Sequence, residues 1–554
     1  MKIFKSLLCL YFIITIIGCN INQNYSGAVS SGHPEATKVG IQILEDGGNA
    51  IDASIAVQLA LAVCLPNAGN IGGGGFMICR MNNGQSYALD FREKAPKKSF
   101  KDMYLNIDGE IIDSLSTYGN LSIGIPGTID GIFEAHKKLG SMDIDVLFNY
   151  AIQLAENGFL ITERQADAFN YYQKDFKNFN PHNNYLQTNQ WQVNDTLKQL
   201  DLANTLKIIR DKGRNGFYEG EVAQSIIETV HEDGIITLED LKDYKSVWRD
   251  PIILNFSHYK LISMPPPSSG GIALSQLIMM LSNFKIDTIS HNSINYIHLL
   301  TEIEKRVYAD RSIYLGDSDY FEVPIEKLLN FEYNKKRAQE INIKQATPSN
   351  KISHGEINYH ESEETTHFSI TDKYGNAVSV TTTLNTSYGS KVFVNERGFL
   401  LNNEMDDFSS KPGEPNTYGL LGSYANEIAP EKRMLSSMTP TIIEKNNDLY
   451  LVLGSPGGST IITSVFQTIL NVILFEMDIQ SAVDMPRFHH QWKPDNIYIE
   501  KELYSDSLLK TLSNIGHELK IRNSIGHVNA IMYNKNITSV GADQRGDNFG
   551  LIIK

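Results

Sequence analysis

The sequence predicts an α+β protein, and three stretches predict it. The first is a hairpin. Thr366, Phe368 and Ile370 alternate with Thr365, His367, Ser369 and Thr371. After Asp372-Lys-Tyr-Gly-Asn376 the alternation resumes, with Val378, Val380 and Thr382 on one face and Ser379, Thr381 and Thr383 on the other. Period-two patterning on both sides of a Gly/Asn turn marks paired antiparallel strands. The second is Leu451-Val-Leu-Gly-Ser-Pro-Gly-Gly-Ser-Thr460 with an apolar run from Ile461 to about Phe475, which reads as strand, tight turn, helix. The third is the helix-like run Ala50 to Cys64, followed by the strand-like run Phe76 to Cys79.

The remaining segments follow in chain order. Lys2 and Lys5 precede an apolar run of 11 residues, Leu7 to Ile17. That is too short to span a bilayer and has the form of a cleaved export signal. Ile16-Ile-Gly-Cys19 resembles a bacterial lipobox, which implies a signal peptide over 1–18 and a membrane-anchoring lipid on Cys19. An ordinary secretory signal with an incidental cysteine is the other reading. Residues 19–32 are small and polar and read as a tether. Region 33–160 mixes helices and strands, and 165–250 is largely helical, with Thr237-Leu-Glu-Asp as a capped start. Strands and helices then alternate to about 335. From Gln345 to Glu364 the chain is polar and acidic and reads as an exposed loop. Residues 365–400 read as strands. The Pro- and Gly-rich stretch 411–423 reads as a surface lid. Strand, helix and an α+β portion complete the chain.

Composition narrows the function classes. With 42% hydrophobic and 20% charged residues, the 554-residue chain is ordinary globular material. The net charge of −15, without a long basic run, disfavours nucleic acid as a partner. Beyond Cys9 and Cys19, only Cys64 and Cys79 remain, both among apolar neighbours. They read as two buried thiols rather than a disulfide, and no metal-ligand spacing involves them. His489-His490 invites a metal, but adjacent residues on an extended segment point to opposite faces. No cofactor is implied.

The chemistry centres on Glu361-Ser-Glu-Glu-Thr-Thr-His367. Cleavage between Glu364 and Thr365 would make Thr365 an N-terminal residue. Its hydroxyl would then be the nucleophile and its α-amine, with a pKa near 8, the base. In isolation the triplet reads rather as a hydroxyl-rich strand start, common in any β protein. The hairpin adds to it: a turn centred on Tyr374 pairs position 365 with 383, which places Thr383 beside Thr365 on one face. Gly457 and Gly458, ahead of a helix, suit backbone N–H donation to an oxyanion. A plain glycine turn is the alternative.

Thr365-Thr-His-Phe-Ser-Ile, Leu401-Asn-Asn-Glu-Met-Asp-Asp-Phe408, Leu435-Ser-Ser-Met-Thr-Pro440 and Gly454-Ser-Pro-Gly-Gly458 resemble the small subunit of the γ-glutamyltransferase family. Gly47-Gly-Asn-Ala-Ile-Asp-Ala, Gly69-Asn-Ile-Gly-Gly-Gly-Gly-Phe76, Asp90-Phe-Arg-Glu-Lys-Ala-Pro96 and Pro265-Pro-Pro-Ser-Ser-Gly-Gly271 resemble its large subunit. The resemblance implies a four-layer αββα sandwich of the N-terminal nucleophile hydrolase type. It implies one intertwined domain cut once, into 33–364 and 365–554, the two subunits of a heterodimer. It also implies transfer of the γ-glutamyl group of glutathione and related compounds to water or to amino-acid or dipeptide acceptors. Arg92 would take the substrate α-carboxylate with Ser436 and Ser437. Asp407, Glu404 and Asn385 would hold the α-ammonium, and Tyr418 in the lid would cover the group. A structural ion pair of Arg92 with Asp90 or Glu93 is the plain alternative for that arginine. A β-lactam (cephalosporin) acylase, a poly-γ-glutamate transpeptidase and a non-catalytic binding lipoprotein are the competing functions. An exported protein on the periplasmic face of a bacterial membrane follows from the N-terminal reading.

Overall fold

The computed structural model describes residues 25–353, 365–411 and 423–553, apart from positions 113, 183, 188, 189, 232 and 504. Two antiparallel sheets face one another at the centre. One has seven strands in the order Phe549–Ile552, Ala28–Ser31, Thr366–Thr371, Ala377–Thr383, Gly74–Arg80, Ser86–Asp90, Val247–Arg249. The other has six, in the order Ile537–Ala542, Asn529–Asn534, Asp448–Gly454, Thr441–Lys445, Tyr259–Ser263, Ile252–Phe256. Helices Pro34–Glu45 and Ala50–Cys64 share a core with the outer face of the first sheet, and helices Gly270–Leu281, Ile294–Tyr314 and Thr460–Ile473 share one with the second. The result is the αββα sandwich.

The alternation read from the hairpin decides which face goes where. Phe368, Ile370, Val378 and Val380 join the apolar core under Ala50–Cys64. That helix starts at a reciprocal cap between Asn49 and Asp52 and is buried along its whole length. The opposite, polar face meets the other sheet. There the Ser379 hydroxyl donates to the Leu453 carbonyl at 3.0 Å, and Ser369 donates to Asn529 O at 3.1 Å. Buried hydroxyls are tolerated between the sheets because each finds a partner. Cys64 and Cys79 are free and buried, and burial pushes the Cys79 thiol up to about 12.

Several sequence expectations need correction. Ala28–Ser31 is no tether: it is a fully buried strand between Phe549–Ile552 and Thr366–Thr371. Small polar residues read as a linker, but here Ser30 Oγ donates to Asn529 Oδ1 and Gly541 O. Val247–Arg249, placed among the helices, is the edge strand of the first sheet. After the hairpin ending at Ser263, four helices follow to Gln339 with no alternating strand. Only Thr366–Thr371, Ala377–Thr383 and two dipeptide strands occupy 365–400. The start of the 345–364 loop is also docked rather than exposed. Ala346, Ser349 and Ile352 are buried, and Trp492 Nε1 donates to the Ser349 carbonyl at 3.0 Å.

Candidate functional site

The hairpin sets the site's geometry. Asp372 organises its turn by accepting from the Tyr374 and Asn376 backbone N–H groups, both at 2.9 Å. The register places Thr371 opposite Ala377 and Thr366 opposite Thr382. One step further sets Thr365 opposite Thr383, and both residues border the same cavity. Thr383 Oγ1 accepts the Asn385 N–H at 2.7 Å, and Asn385 itself adopts a left-handed φ of 79°. Asn385 also borders the cavity, with its side-chain amide held on the Asn403 carbonyl at 3.0 Å. His367 lies between the sheets instead, bonded to Thr381 Oγ1 at 2.9 Å. Burial pushes its pKa down to about 3, so the imidazole is neutral.

Glycine makes room for the charges beside this hairpin. Gly74 pairs with Thr383 across the sheet. A Cβ at Gly74 would lie 2.6 Å from Glu93 Oε2, closer than real contacts allow. The glycine-rich run Gly72–Gly75 therefore lets Glu93 sit against the strand and back Arg92, whose Nη1 lies 3.8 Å from the Glu93 carboxylate.

Arg92 is the centre of the charge set. Its guanidinium spans Glu404 through Nη1 and Asp407 through Nη2. Asp90 accepts the Arg92 backbone N–H at 3.0 Å, but its carboxylate pairs with Arg249 at 2.8 Å and Arg433 at 3.3 Å. Of the structural ion pairs foreseen for Arg92, the one with Asp90 is not made by the side chain, whereas the one with Glu93 is present at 3.8 Å. Of the two neighbouring acids, Asp407 faces Arg92, whereas Asp406 is turned onto Ser116 Oγ at 2.6 Å. Burial raises the carboxyl pKa values of Glu93, Glu404 and Asp407, and Arg92 opposes the shift in each. Among the described residues, Glu404 Oε2 and both Glu93 oxygens are buried without a hydrogen-bond partner. A buried unsatisfied acceptor costs about 1–3 kcal/mol, which a bound cation would recover at Glu404.

Ser436 and Ser437 form another wall of the cavity. Their loop is fixed by the Pro265–Gly271 turn. Ser269 donates through N and Oγ to the Ser436 carbonyl at 2.8 and 2.7 Å, and Ser268 Oγ donates to Met438 O at 2.7 Å. Arg311, absent from the sequence reading, also borders the cavity and donates to Ser437 Oγ and Ser269 Oγ, each at 2.9 Å. With Ser437 Oγ accepting from a guanidinium, its own proton is left to donate to another group. Arg311 lies in Ile294–Tyr314 among Glu302, Glu304, Lys305, Arg306 and Asp310, all buried. In sequence such a run is indistinguishable from a solvated helix face.

Gly457 and Gly458 take φ values of 127° and 52°, ahead of helix Thr460–Ile473. Both conformations are ones that L side chains rarely adopt. Gly458 borders the cavity, and Gly457 lies one residue back in the turn. Glu364, Tyr418 and Cys19 lie outside the described residues. His489 and His490 point apart, to Thr463 Oγ1 at 2.8 Å and Asp495 at 3.2 Å. Among the described residues, one buried group, His298, Glu302 and His517, brings metal-ligating atoms together. Its histidines are bonded to each other at 2.7 Å, and Glu302 is engaged by Arg306 and the Thr347 N–H.

The site thus combines two threonine residues, a two-glycine turn ahead of a helix and a buried pocket carrying both signs of charge. The chain matches the family model described as Gamma-glutamyltranspeptidase over residues 36–552. It is 44% identical over 513 residues to the glutathione hydrolase proenzyme of Escherichia coli, covering 91% of this chain and 88% of the relative. It is 38% identical to that of Bacillus subtilis, covering 90% and 86%. The crystal structure of the Helicobacter pylori γ-glutamyltranspeptidase superposes with a TM-score of 0.57 at 41% identity, over 60% of this chain and 96% of that one. A cephalosporin acylase from Bacillus halodurans shares the fold, with a TM-score of 0.83 over 95% and 96% of the two chains at 23% identity. The chain belongs to the γ-glutamyltranspeptidase family.

Proposed function

We propose that this protein is a γ-glutamyltransferase and glutathione hydrolase that matures by cutting itself between Glu364 and Thr365. The observation that carries this reading is the placement of Thr365 and Thr383 on the wall of the pocket that holds Arg92, Glu404 and Asp407. In maturation, the Thr365 hydroxyl adds to the Glu364 carbonyl, and the resulting ester is hydrolysed to free the α-amine. In turnover, Thr365 Oγ1 attacks the γ-amide while its α-amine takes the proton and passes it to the leaving amine. Thr383 orients the hydroxyl, and the Gly457 and Gly458 N–H groups receive the developing oxyanion. Water or an amine then takes the γ-glutamyl group from its Thr365 ester.

The pocket accounts for selection of a zwitterion. It encloses about 500 Å³ of empty space, counted out to its open mouth, with Arg92 held against Glu404 and Asp407 inside. A γ-glutamyl group enters by parting Arg92 from Glu404 and Asp407. Its carboxylate takes the guanidinium, with Ser436 and Ser437 donating, and its ammonium takes the two acids beside Asn385. A ligand with only one of the two charges leaves a buried partner unpaired, at about 3–5 kcal/mol. A cephalosporin acylase would not need the complete set of Arg92, Asp407, Ser436 and Ser437, which favours the γ-glutamyl reading.

Export as a lipoprotein anchored through Cys19 belongs to the same proposal and rests on the N-terminal pattern. No described helix is long and apolar enough to cross a membrane. The test of maturation is direct. Wild type should run as two chains, 19–364 and 365–554, the smaller roughly 21 kDa by its share of 62.1 kDa. Thr365→Ala should stay a single chain that releases no anilide from a γ-glutamyl anilide. A fully active wild type that runs as one intact chain would refute the reading.

A further inference from the structure

One face of helix Ile294–Tyr314, on the large-subunit side of the proposed cut, reaches three segments on the other side. Glu304, Tyr308 and Arg311 are spaced four and three residues apart, so they stack along one side of the helix, and all three are buried. Glu304 Oε2 accepts the His490 N–H at 2.9 Å, the Tyr308 hydroxyl donates to the Ser459 carbonyl, and Arg311 donates to Ser437 Oγ at 2.9 Å. Arg311 thereby supports the donor pocket. Tyr308 meets the residue that directly follows Gly457 and Gly458. We infer that Tyr308 is a positioning residue for the oxyanion turn: it fixes the Ser459 peptide and, through it, the direction of the Gly457 and Gly458 N–H groups. The inference rests on the reading of those two N–H groups as the oxyanion donors.

Such a turn needs holding from outside. Two consecutive glycines have no side chains to pack, and their backbone turns more freely than that of any other residue. Oxyanion donors are effective only when they are aimed before the charge appears. Thr460 closes the turn from within, donating through N and Oγ1 to the Gly457 carbonyl at 2.9 and 2.7 Å. Ser459 is the second anchor. It stands at the N-cap of helix Thr460–Ile473, yet its hydroxyl makes no cap. It donates sideways to Gln491 Oε1 at 2.6 Å and lies 3.2 Å from His489 Nε2. The positive end of the helix dipole is therefore not neutralised by its own cap, which suits a developing anion.

Ser459 is thus gripped at both polar ends, its hydroxyl by Gln491 and its carbonyl by Tyr308. The two grips brace each other, because the Tyr308 ring packs edge-on against His489 with centroids 5.6 Å apart. Tyr308 does not line the pocket, so it acts through the turn and not on the substrate. This placement gives its loss a distinct signature. Binding of the γ-glutamyl zwitterion is the task of Arg92, Glu404 and Asp407, none of which Tyr308 holds. Without the Tyr308 hydroxyl the Ser459 peptide loses one anchor and the two glycine N–H groups lose their aim. The penalty falls where the carbonyl oxygen becomes an anion, in the transition state, and not on the bound ground state.

The test uses Tyr308→Phe, which deletes one oxygen and keeps the ring against His489, with rates expressed per two-chain enzyme on a gel. Three quantities are compared with wild type: kcat/KM for a γ-glutamyl anilide, and inhibition by two donor analogues. The first analogue is glutamate with a boronic acid in place of its γ-carboxyl. Thr365 Oγ1 bonds to the boron, the hydroxyl proton passes to the α-amine, and the tetrahedral adduct carries its negative charge where the oxyanion forms. The second is norvaline, which has both α-charges and no γ-carbonyl. Anilide kcat/KM and boronate affinity should fall together by about tenfold, while norvaline affinity stays within about twofold. Ser459→Ala, which frees the turn from Gln491, should give the same pattern. Unchanged boronate affinity in Tyr308→Phe, or a norvaline loss as large as the boronate loss, would overturn the proposal while leaving the γ-glutamyl reading in place. If wild type itself released no anilide and bound no boronate, that reading would fall first, and this inference with it.

Discussion

Arg92→Lys isolates what the planar guanidinium contributes beyond its charge. Arg92 is 1% exposed and bridges two carboxylates at once, with two further N–H groups near the Met434 and Leu435 carbonyls at 3.4 Å. A lysine ammonium on a shorter stem reaches one of Glu404 and Asp407 but cannot span both. The carboxyl left over takes up a proton, which its burial already favours. The fold should therefore survive, and cleavage at Thr365 should still give two chains. Donor binding should not survive intact. A lost charge-assisted contact to the substrate carboxylate is worth about 1.5–3 kcal/mol, or about 10- to 150-fold in kcat/KM. The contact is remote from the reacting carbonyl, so the loss should fall on KM more than on kcat. Initial rates with a γ-glutamyl anilide over a wide donor range measure this, with a denaturing gel as the control for processing. A donor KM within twofold of wild type would refute the pairing of Arg92 with the substrate and leave it a partner of Glu404 and Asp407 only.

Two further outcomes follow from the same geometry. Thr383→Val keeps the β-branched shape in Ala377–Thr383 but removes the hydroxyl opposite Thr365; processing and turnover should both slow by about a hundredfold in a folded protein, read by gel time courses and anilide release. Normal processing with normal turnover would show that the hydroxyl has no part in either. The pH profile tests Asp407, whose pKa is pushed up to about 6, by burial first, against the pull of Arg92. Because the folded value is raised, protonation stabilises the site: that contribution is complete below the usual aspartate range and is lost as pH rises through about 6. Function has the opposite sign, since the ammonium needs the ionised form. Below about 6 donor kcat/KM should fall by a further factor approaching tenfold per pH unit, beyond the fall set by protonation of the Thr365 α-amine, whereas an N-acetylated donor, which has no ammonium, should show the α-amine limb alone.

The local pattern made much of the site legible in advance. Period-two alternation fixes that Phe368, Ile370, Val378 and Val380 share one face, and the turn centred on Tyr374 chooses among the registers that allow it, so the step that sets Thr365 opposite Thr383 was implied by sequence. The turn at Gly457–Gly458 was legible for a similar reason, because only glycine occupies those φ values readily before a helix. What the sequence could not supply was the partner of each charge. The span of Arg92 across Glu404 and Asp407, and the hold of Arg311 on Ser437, each bring together residues more than 120 positions apart. Local propensity carries no information about such meetings. Burial misled for the same reason. Ala28–Ser31 looks like a linker and is a central strand, and the charged run in Ile294–Tyr314 looks solvated and is buried. A polar residue is admitted to the interior when distant groups satisfy it, and only the tertiary structure decides which groups those are.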